Sequence, residues 1–183
     1  MIIIECKNIP KLYETLVITN KRCYIQQMEQ DAVLVEYKIP ILFDNGEPLE
    51  LNIFINDYIM HFLKNRDIIK IFKTYLDFGD AKCPVKHCGV LVSSLPELSC
   101  ICNLPDTDFE EEITLQVVDS KLIIEMQEFT FSVPTLYSKN SPSVKINSAF
   151  LPSGLCKVYI DNECPIGIET DEKILYIAPI CTP

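Results

Sequence analysis

The chain is poor in the residues from which most catalytic sites are built. Its 183 residues include only five glycines and two histidines. No Gly-x-Gly fingerprint and no Walker lysine loop is present, and so few glycines leave no phosphate cradle. A cysteine–histidine nucleophilic pair would have to use His61 or His87, and neither is accompanied by a glycine cluster suited to an oxyanion. No apolar run approaches the ~20 residues of a membrane helix. Met1-Ile-Ile-Ile-Glu5 turns acidic too soon for a signal peptide and reads as a first strand, which places the protein inside a cell. Cations are scarce as well: 16 Lys and Arg stand against 26 Asp and Glu, a formal charge of −10. That balance argues against broad nucleic-acid coating, because neutralising phosphates needs Lys and Arg. It leaves room for a thin basic lining inside an acidic molecule, which would hold DNA weakly or by encirclement. These absences point to a protein that is not an enzyme and needs no cofactor.

Cysteine is abundant by contrast, with nine: Cys6, Cys23, Cys83, Cys88, Cys100, Cys102, Cys156, Cys164 and Cys181. In a chain read as internal they are reduced thiols, most of them beside Ile, Leu or Val, where a thiol acts as a small hydrophobe. Cys83, His87, Cys88, Cys100 and Cys102 are the candidate zinc ligands. Their Cys-x4-Cys and Cys-x-Cys spacings differ from the usual knuckles, so free thiols near a linker are the alternative. Asp106, Asp108 and Glu110–Glu112 could hold a hard cation or form a solvated loop.

The chain also nearly repeats itself. Ile9-Pro-Lys-Leu12 is echoed by Leu95-Pro-Glu-Leu98, Ile39-Pro-Ile-Leu42 by Val133-Pro-Thr-Leu136, and Ile55-Asn56 by Ile146-Asn147, in the same order and roughly half a chain apart. Repetition on that scale predicts two copies of one fold in series. Ile2–Lys7 reads as a strand, Pro10 opens a helix carrying Leu12, Leu16 and Val17 on one face, and two strands follow over 22–27 and 32–39. Asp44-Asn45-Gly46 signals a turn. Leu49–Ile55 alternates like a strand, and Asn56 or Asp57 caps a helix with Ile59, Phe62 and Leu63 inward. Irregular residues 77–94 read as a connection. Pro96–Asn103 is a helix candidate in the second half, strands follow over 113–118, 121–126 and 129–133, and a last helix near Ala149–Leu155 is damaged by Pro152 and Gly154. The expected fold is α+β: two tandem domains (1–80 and 94–183, joined by 81–93), each a curved, mainly antiparallel sheet with two helices on one face.

Several segments resemble one family. Val144-Lys-Ile-Asn-Ser-Ala-Phe-Leu151 resembles the strand-to-helix element of DNA sliding clamps of the proliferating cell nuclear antigen type, as does Phe54–Lys64. Val158–Glu169 is similar to the strand, acidic turn and proline-led strand that follow it, and Leu175-Tyr-Ile-Ala-Pro179 to the closing segment. The resemblance implies a closed homotrimeric ring around duplex DNA, with sheets outside and helices lining the hole. The implied role is a processivity factor in replication or late transcription that recruits a DNA polymerase or transcription factor through a peptide motif. It implies DNA-facing roles for Lys11, Lys21, Arg22, Lys64, Arg66 and Lys157, which could equally be ordinary surface charges. It implies a partner pocket of Pro165, Tyr176, Ala178, Pro179 and Ile180 with the connection near Val85–Val90. The halves are shorter than typical clamp domains, and the third helix candidate carries Glu97 and no basic residue. A non-enzymatic β-rich interaction or inhibitor protein of viral or phage type, acting on a protein partner, is the alternative.

Overall fold

The computed structural model describes residues 1–7, 9, 15–19, 22–29, 33–89, 94–106, 110–162 and 164–180. The chain divides into two units: Met1–Met28 with Val35–Val92, and Glu29–Leu34 with Ser93–Pro183. Both are built almost wholly from antiparallel strands. The first contains β1 (Ile2–Glu5), β2 (Thr15–Ile18), β3 (Cys23–Glu29), β4 (Val33–Ile39), β5 (Ile41–Asp44), β6 (Leu51–Phe54), α1 (Asp57–Asn65), β7 (Ile68–Ile71), β8 (Tyr75–Asp77) and β9 (Lys82–Pro84). Glu29–Leu34 group with the second unit. That unit contains β10 (Leu98–Leu104), β11 (Glu112–Val118), β12 (Lys121–Glu125), β13 (Thr130–Ser138), β14 (Val144–Asn147), β15 (Gly154–Tyr159), β16 (Ile166–Glu169) and β17 (Lys173–Ile177).

The same strand order recurs in each unit. In the first it is β5-β1-β7-β8-β9, with β4-β3-β2-β6 alongside. In the second it is β13-β10-β15-β16-β17, with β13-β12-β11-β14. The correspondence reaches single residues. Ile3 of β1 lies opposite Phe43 and Lys70, and Lys70 lies opposite Asp77. Ile101 of β10 lies opposite Tyr137 and Lys157, and Lys157 lies opposite Glu169. Both rows therefore read aromatic, Ile, Lys, acid across four strands. Directly opposed residues share a face, so the two rows stand at equivalent places. A register irregularity falls between Ile3 and Ile4 in one unit and between Ile101 and Cys102 in the other. It leaves Leu42 54% and Leu136 80% exposed. Each bulge follows a proline, Pro40 or Pro134, which lacks the N–H a regular ladder would use. At Pro134 strand β13 passes from pairing with β12 to pairing with β10.

The helices depart from expectation. Among the described residues α1 is the only α-helix. Asn56 caps it by accepting from the Ile59 N–H at 2.9 Å, and Ile59 and Leu63 are buried. Asn147 caps the equivalent turn by accepting from the Ala149 N–H at 2.9 Å, but only a 3-10 turn, Ser148–Phe150, follows. Pro152 cannot continue a helix, and Gly154, at φ +94°, begins β15. The reading of Leu16 and Val17 as helical is corrected: Thr15–Ile18 is a strand with all four residues buried, and residues 10–14 lie outside the described set. The Pro96–Asn103 helix is also corrected. Cys100, Cys102 and Leu104 are buried on one side of strand β10, while Ile101 and Asn103 face the other. Two helices per sheet is thus replaced by a β-rich, helix-poor fold.

Each unit has its own core. In the first, Ile2, Ile4, Ile69, Ile71 and Leu76 of one sheet cluster with Leu16, Ile18, Ile25 and Ile53 of the other and with Ile59 and Leu63 of α1. In the second, Cys100, Cys102, Cys156, Val158 and Ile168 are buried, as are Ile113, Leu115, Val117, Leu122, Ile124 and Ile146. Burying each such aliphatic side chain contributes about 1.5–3 kcal/mol. The tight turns match their residues: Gly46 takes φ +78° and donates to Asp44 Oδ1 at 2.9 Å, and Asp119-Ser120, both at positive φ, close the β11–β12 hairpin.

Candidate nucleic-acid and partner interface

Three of the six proposed DNA-facing cations, Arg22, Arg66 and Lys157, are engaged with carboxylates. Arg22 stands just before β3, held by the Thr19 N–H donating to its carbonyl at 2.8 Å. Its Nη2 donates to Glu36 Oε2 at 2.9 Å, and its guanidinium lies 4.8 Å from the Tyr24 ring centre. Glu36 is 1% exposed, and Gln26 Nε2 donates to its other oxygen at 3.4 Å. Burial, with Glu36 nearby, raises the Tyr24 hydroxyl above its ordinary range. Arg66, just past α1, pairs with Asp80 and lies over the Phe62 ring at 5.8 Å. That hydrogen bond holds the Asp80 carboxyl below its usual range. Lys157 lies on strand β15, not after a helix, with Nζ 3.6 Å from Glu169 Oε2. Glu169 also accepts from the Tyr159 hydroxyl at 2.8 Å, and burial plus that bond raise the tyrosine. Lys64 sits exposed in the last turn of α1, whose outer side also presents Tyr58 and His61. Lys11 and Lys21 lie outside the described residues.

The expected partner pocket is spread along the closing strands. Pro165 is exposed before β16. Tyr176 on β17 is only 5% exposed and is grouped with Leu34, Ile174 and Leu95 in a packed cluster. Ala178 is exposed, Pro179 and Ile180 are half-buried, and the Ile180 N–H donates to the Lys145 carbonyl at 2.8 Å. Opposite Tyr176 stands Gly167, where an added Cβ would meet Leu95 Cδ2 at 2.1 Å and Tyr159 Cβ at 3.3 Å. Small size, not conformational freedom, is what this position requires. Residues 86–88 of the connection run beside β6: Phe54 N–H donates to Lys86 O, Cys88 N–H to Asn52 O, and His87 bridges Ile53.

The candidate zinc ligands fall in two groups, one in each unit. Cys100 and Cys102 point into the second unit's core, with Cys156 directly opposite Cys102. Hydrogen bonding to Cys102, with burial second, pushes the Cys100 thiol up. Cys83 lies on β9 of the first unit, and Cys88 Sγ is 3.7 Å from Thr15 Oγ1. Among the described residues no group of three His, Cys, Asp or Glu side chains is arranged to hold a metal ion. The sequence reading missed a cavity of about 410 Å³ at the β12–β13 turn. Its sequence signal is Met126, Phe129 and Phe131 beside Glu128.

No protein-family model and no curated protein sequence matches this chain. Solved structures do. The DNA polymerase III subunit beta of Pseudomonas aeruginosa matches at TM-score 0.58 and 11% identity, over 93% of this chain and 57% of that one. The DNA polymerase sliding clamp of Bacillus subtilis matches at TM-score 0.57 and 9% identity, over 100% and 65%. The Thermotoga maritima beta subunit matches at TM-score 0.54 and 8% identity, over 94% and 57%.

The chain has the sliding-clamp fold. It spans between 57% and 65% of the length of these three clamps. No helix among the described residues is long and apolar enough to cross a membrane.

Proposed function

We propose that this clamp-fold chain is a non-enzymatic DNA tether, a processivity factor that encircles duplex DNA as a ring of several copies and recruits a polymerase or transcription factor. The observation that carries the reading is the register-level repeat, Phe43-Ile3-Lys70-Asp77 against Tyr137-Ile101-Lys157-Glu169, inside a fold otherwise met in DNA polymerase clamps. Two such units in one chain make a ring a matter of assembly. Strand β9 ends the first unit's five-stranded order and offers an edge to a second copy. Topological linkage would let weak contacts suffice, which suits a charge of −10. Lys64 on α1, with Lys11 and Lys21, is proposed to face the duplex, and Pro165, Ala178, Pro179 and Ile180 to meet the partner peptide. Size exclusion with light scattering tests the assembly: a homotrimer gives three times the 20.9 kDa chain mass, and a monomer at high concentration refutes the ring.

A second reading is favoured by one specific observation. Arg22, Arg66 and Lys157 each face a carboxylate, which leaves less charge for phosphate. A β-rich interaction protein acting on a protein partner would need none of it. Partner capture that is unaffected by nuclease treatment supports this reading over the tether.

A further inference from the structure

The cavity of about 410 Å³ in the second unit is lined by Glu111, Met126, Gln127, Glu128, Phe129 and Phe131. Both walls are fixed by the backbone. The Glu111 N–H donates to Ser148 Oγ at 3.0 Å, and the Ser148 N–H donates to the Glu111 carbonyl at 2.9 Å, Ser148 itself being buried. On the other wall the Met126 N–H donates to the Phe129 carbonyl at 2.8 Å and closes the β12–β13 turn, while Phe131 is anchored opposite Ile124. Phe129 nevertheless remains 66% exposed, a large apolar surface to leave in water at a turn. Glu111 and Glu128 line the cavity together with Met126, Phe129 and Phe131. Lys145, on the neighbouring strand β14, is paired with Glu112.

Aromatic faces, a methionine and paired carboxylates together match one side-chain chemistry: a guanidinium that stacks on a ring, hydrogen-bonds to carboxylates, and carries an apolar stem. The volume is ample for such a side chain plus an aliphatic neighbour. We infer that this cavity is a docking site for a partner peptide that presents an arginine next to an aliphatic residue. The guanidinium is held between the Phe129 and Phe131 rings and the carboxylates of Glu111 and Glu128, with the aliphatic side chain on Met126. The site shares no residue with those given to DNA or to the closing-segment pocket, and its test does not depend on whether the chain encircles DNA.

The test is a titration of the full chain with acetyl-Leu-Arg-Leu-amide, followed by backbone amide NMR shifts, against the same peptide with citrulline in place of arginine. The expected result is saturable shifts at Glu111 and at residues 126–131, with affinity at least about tenfold weaker for citrulline, the loss of one charge-assisted contact. Glu128→Gln, at an exposed turn position, keeps the native spectrum and loses a similar factor; Phe129→Ala weakens binding further. Equal affinity for citrulline, shifts centred elsewhere, or no saturable shift overturns the proposal.

Discussion

Replacing Arg22 with Ala separates a structural role from a DNA-facing one. The side chain is 48% exposed, yet its partner Glu36 has 1% exposure and receives the Arg22 Nη2 hydrogen bond at 2.9 Å. Breaking a buried pair by removing one partner costs about 3–5 kcal/mol, and a hydrogen bond to a charged group about 1.5–3. Solvent reaches the Arg22 end, and the Gln26 contact to Glu36 at 3.4 Å survives, so the expected loss is near the lower range, about 2 kcal/mol. With a urea slope of ~2 kcal/mol/M, the unfolding midpoint falls by about 1 M. Urea titration followed by circular dichroism reads this directly. The double change Arg22→Ala with Glu36→Gln recovers part of the loss, because Gln keeps the Gln26 contact without burying a charge. An unchanged midpoint in Arg22→Ala, together with weakened DNA retention, refutes the reasoning and returns Arg22 to the nucleic-acid surface.

Other expected outcomes follow from single contacts. Asn56→Ala removes the cap of α1 and lowers stability by about 1 kcal/mol in the same titration, while circular dichroism shows less helix. Gly167→Val crowds Leu95 and the Tyr159 Cβ and costs about 1–3 kcal/mol by overpacking, measured by thermal unfolding. The Arg66 hydrogen bond holds the Asp80 carboxyl below its ordinary range, and NMR of Arg66→Ala shows it moving upward. Since the folded value is depressed, the stability contributed by this pair is present above the unfolded value and is lost as pH falls through the folded one. Burial, reinforced by Glu5 and Asp67, pushes the Cys6 thiol up to about 12, so maleimide labelling of the native chain at neutral pH leaves Cys6 unmodified and, among the described cysteines, labels half-buried Cys83, Cys88 and Cys164 first.

The duplication was legible where a backbone constraint forced a residue type. The echo of Ile39-Pro40 in Val133-Pro134 marks equivalent bends, because a strand leaving one ladder for another tolerates a residue without an N–H. Ile55-Asn56 and Ile146-Asn147 mark equivalent caps. The third echo was not equivalent: Ile9 follows β1, whereas Leu95 precedes β10. The Leu16-Val17 error arose because β2 is buried on both sides, so no alternation betrays a strand. The β10 error was avoidable, since Cys100, Cys102 and Leu104 recur with period two. Cation roles were illegible. Arg22 and Glu36 are 14 positions apart and Lys157 and Glu169 face each other across two strands, pairings set by register alone.

Encirclement is tested most directly by threading the protein onto a duplex tethered at one end, blocking the free end with a bulky protein, and washing at high salt. The account predicts retention on the doubly blocked duplex and rapid loss when the free end stays open. Equal release from open and blocked duplexes, or retention abolished by salt in both, contradicts it.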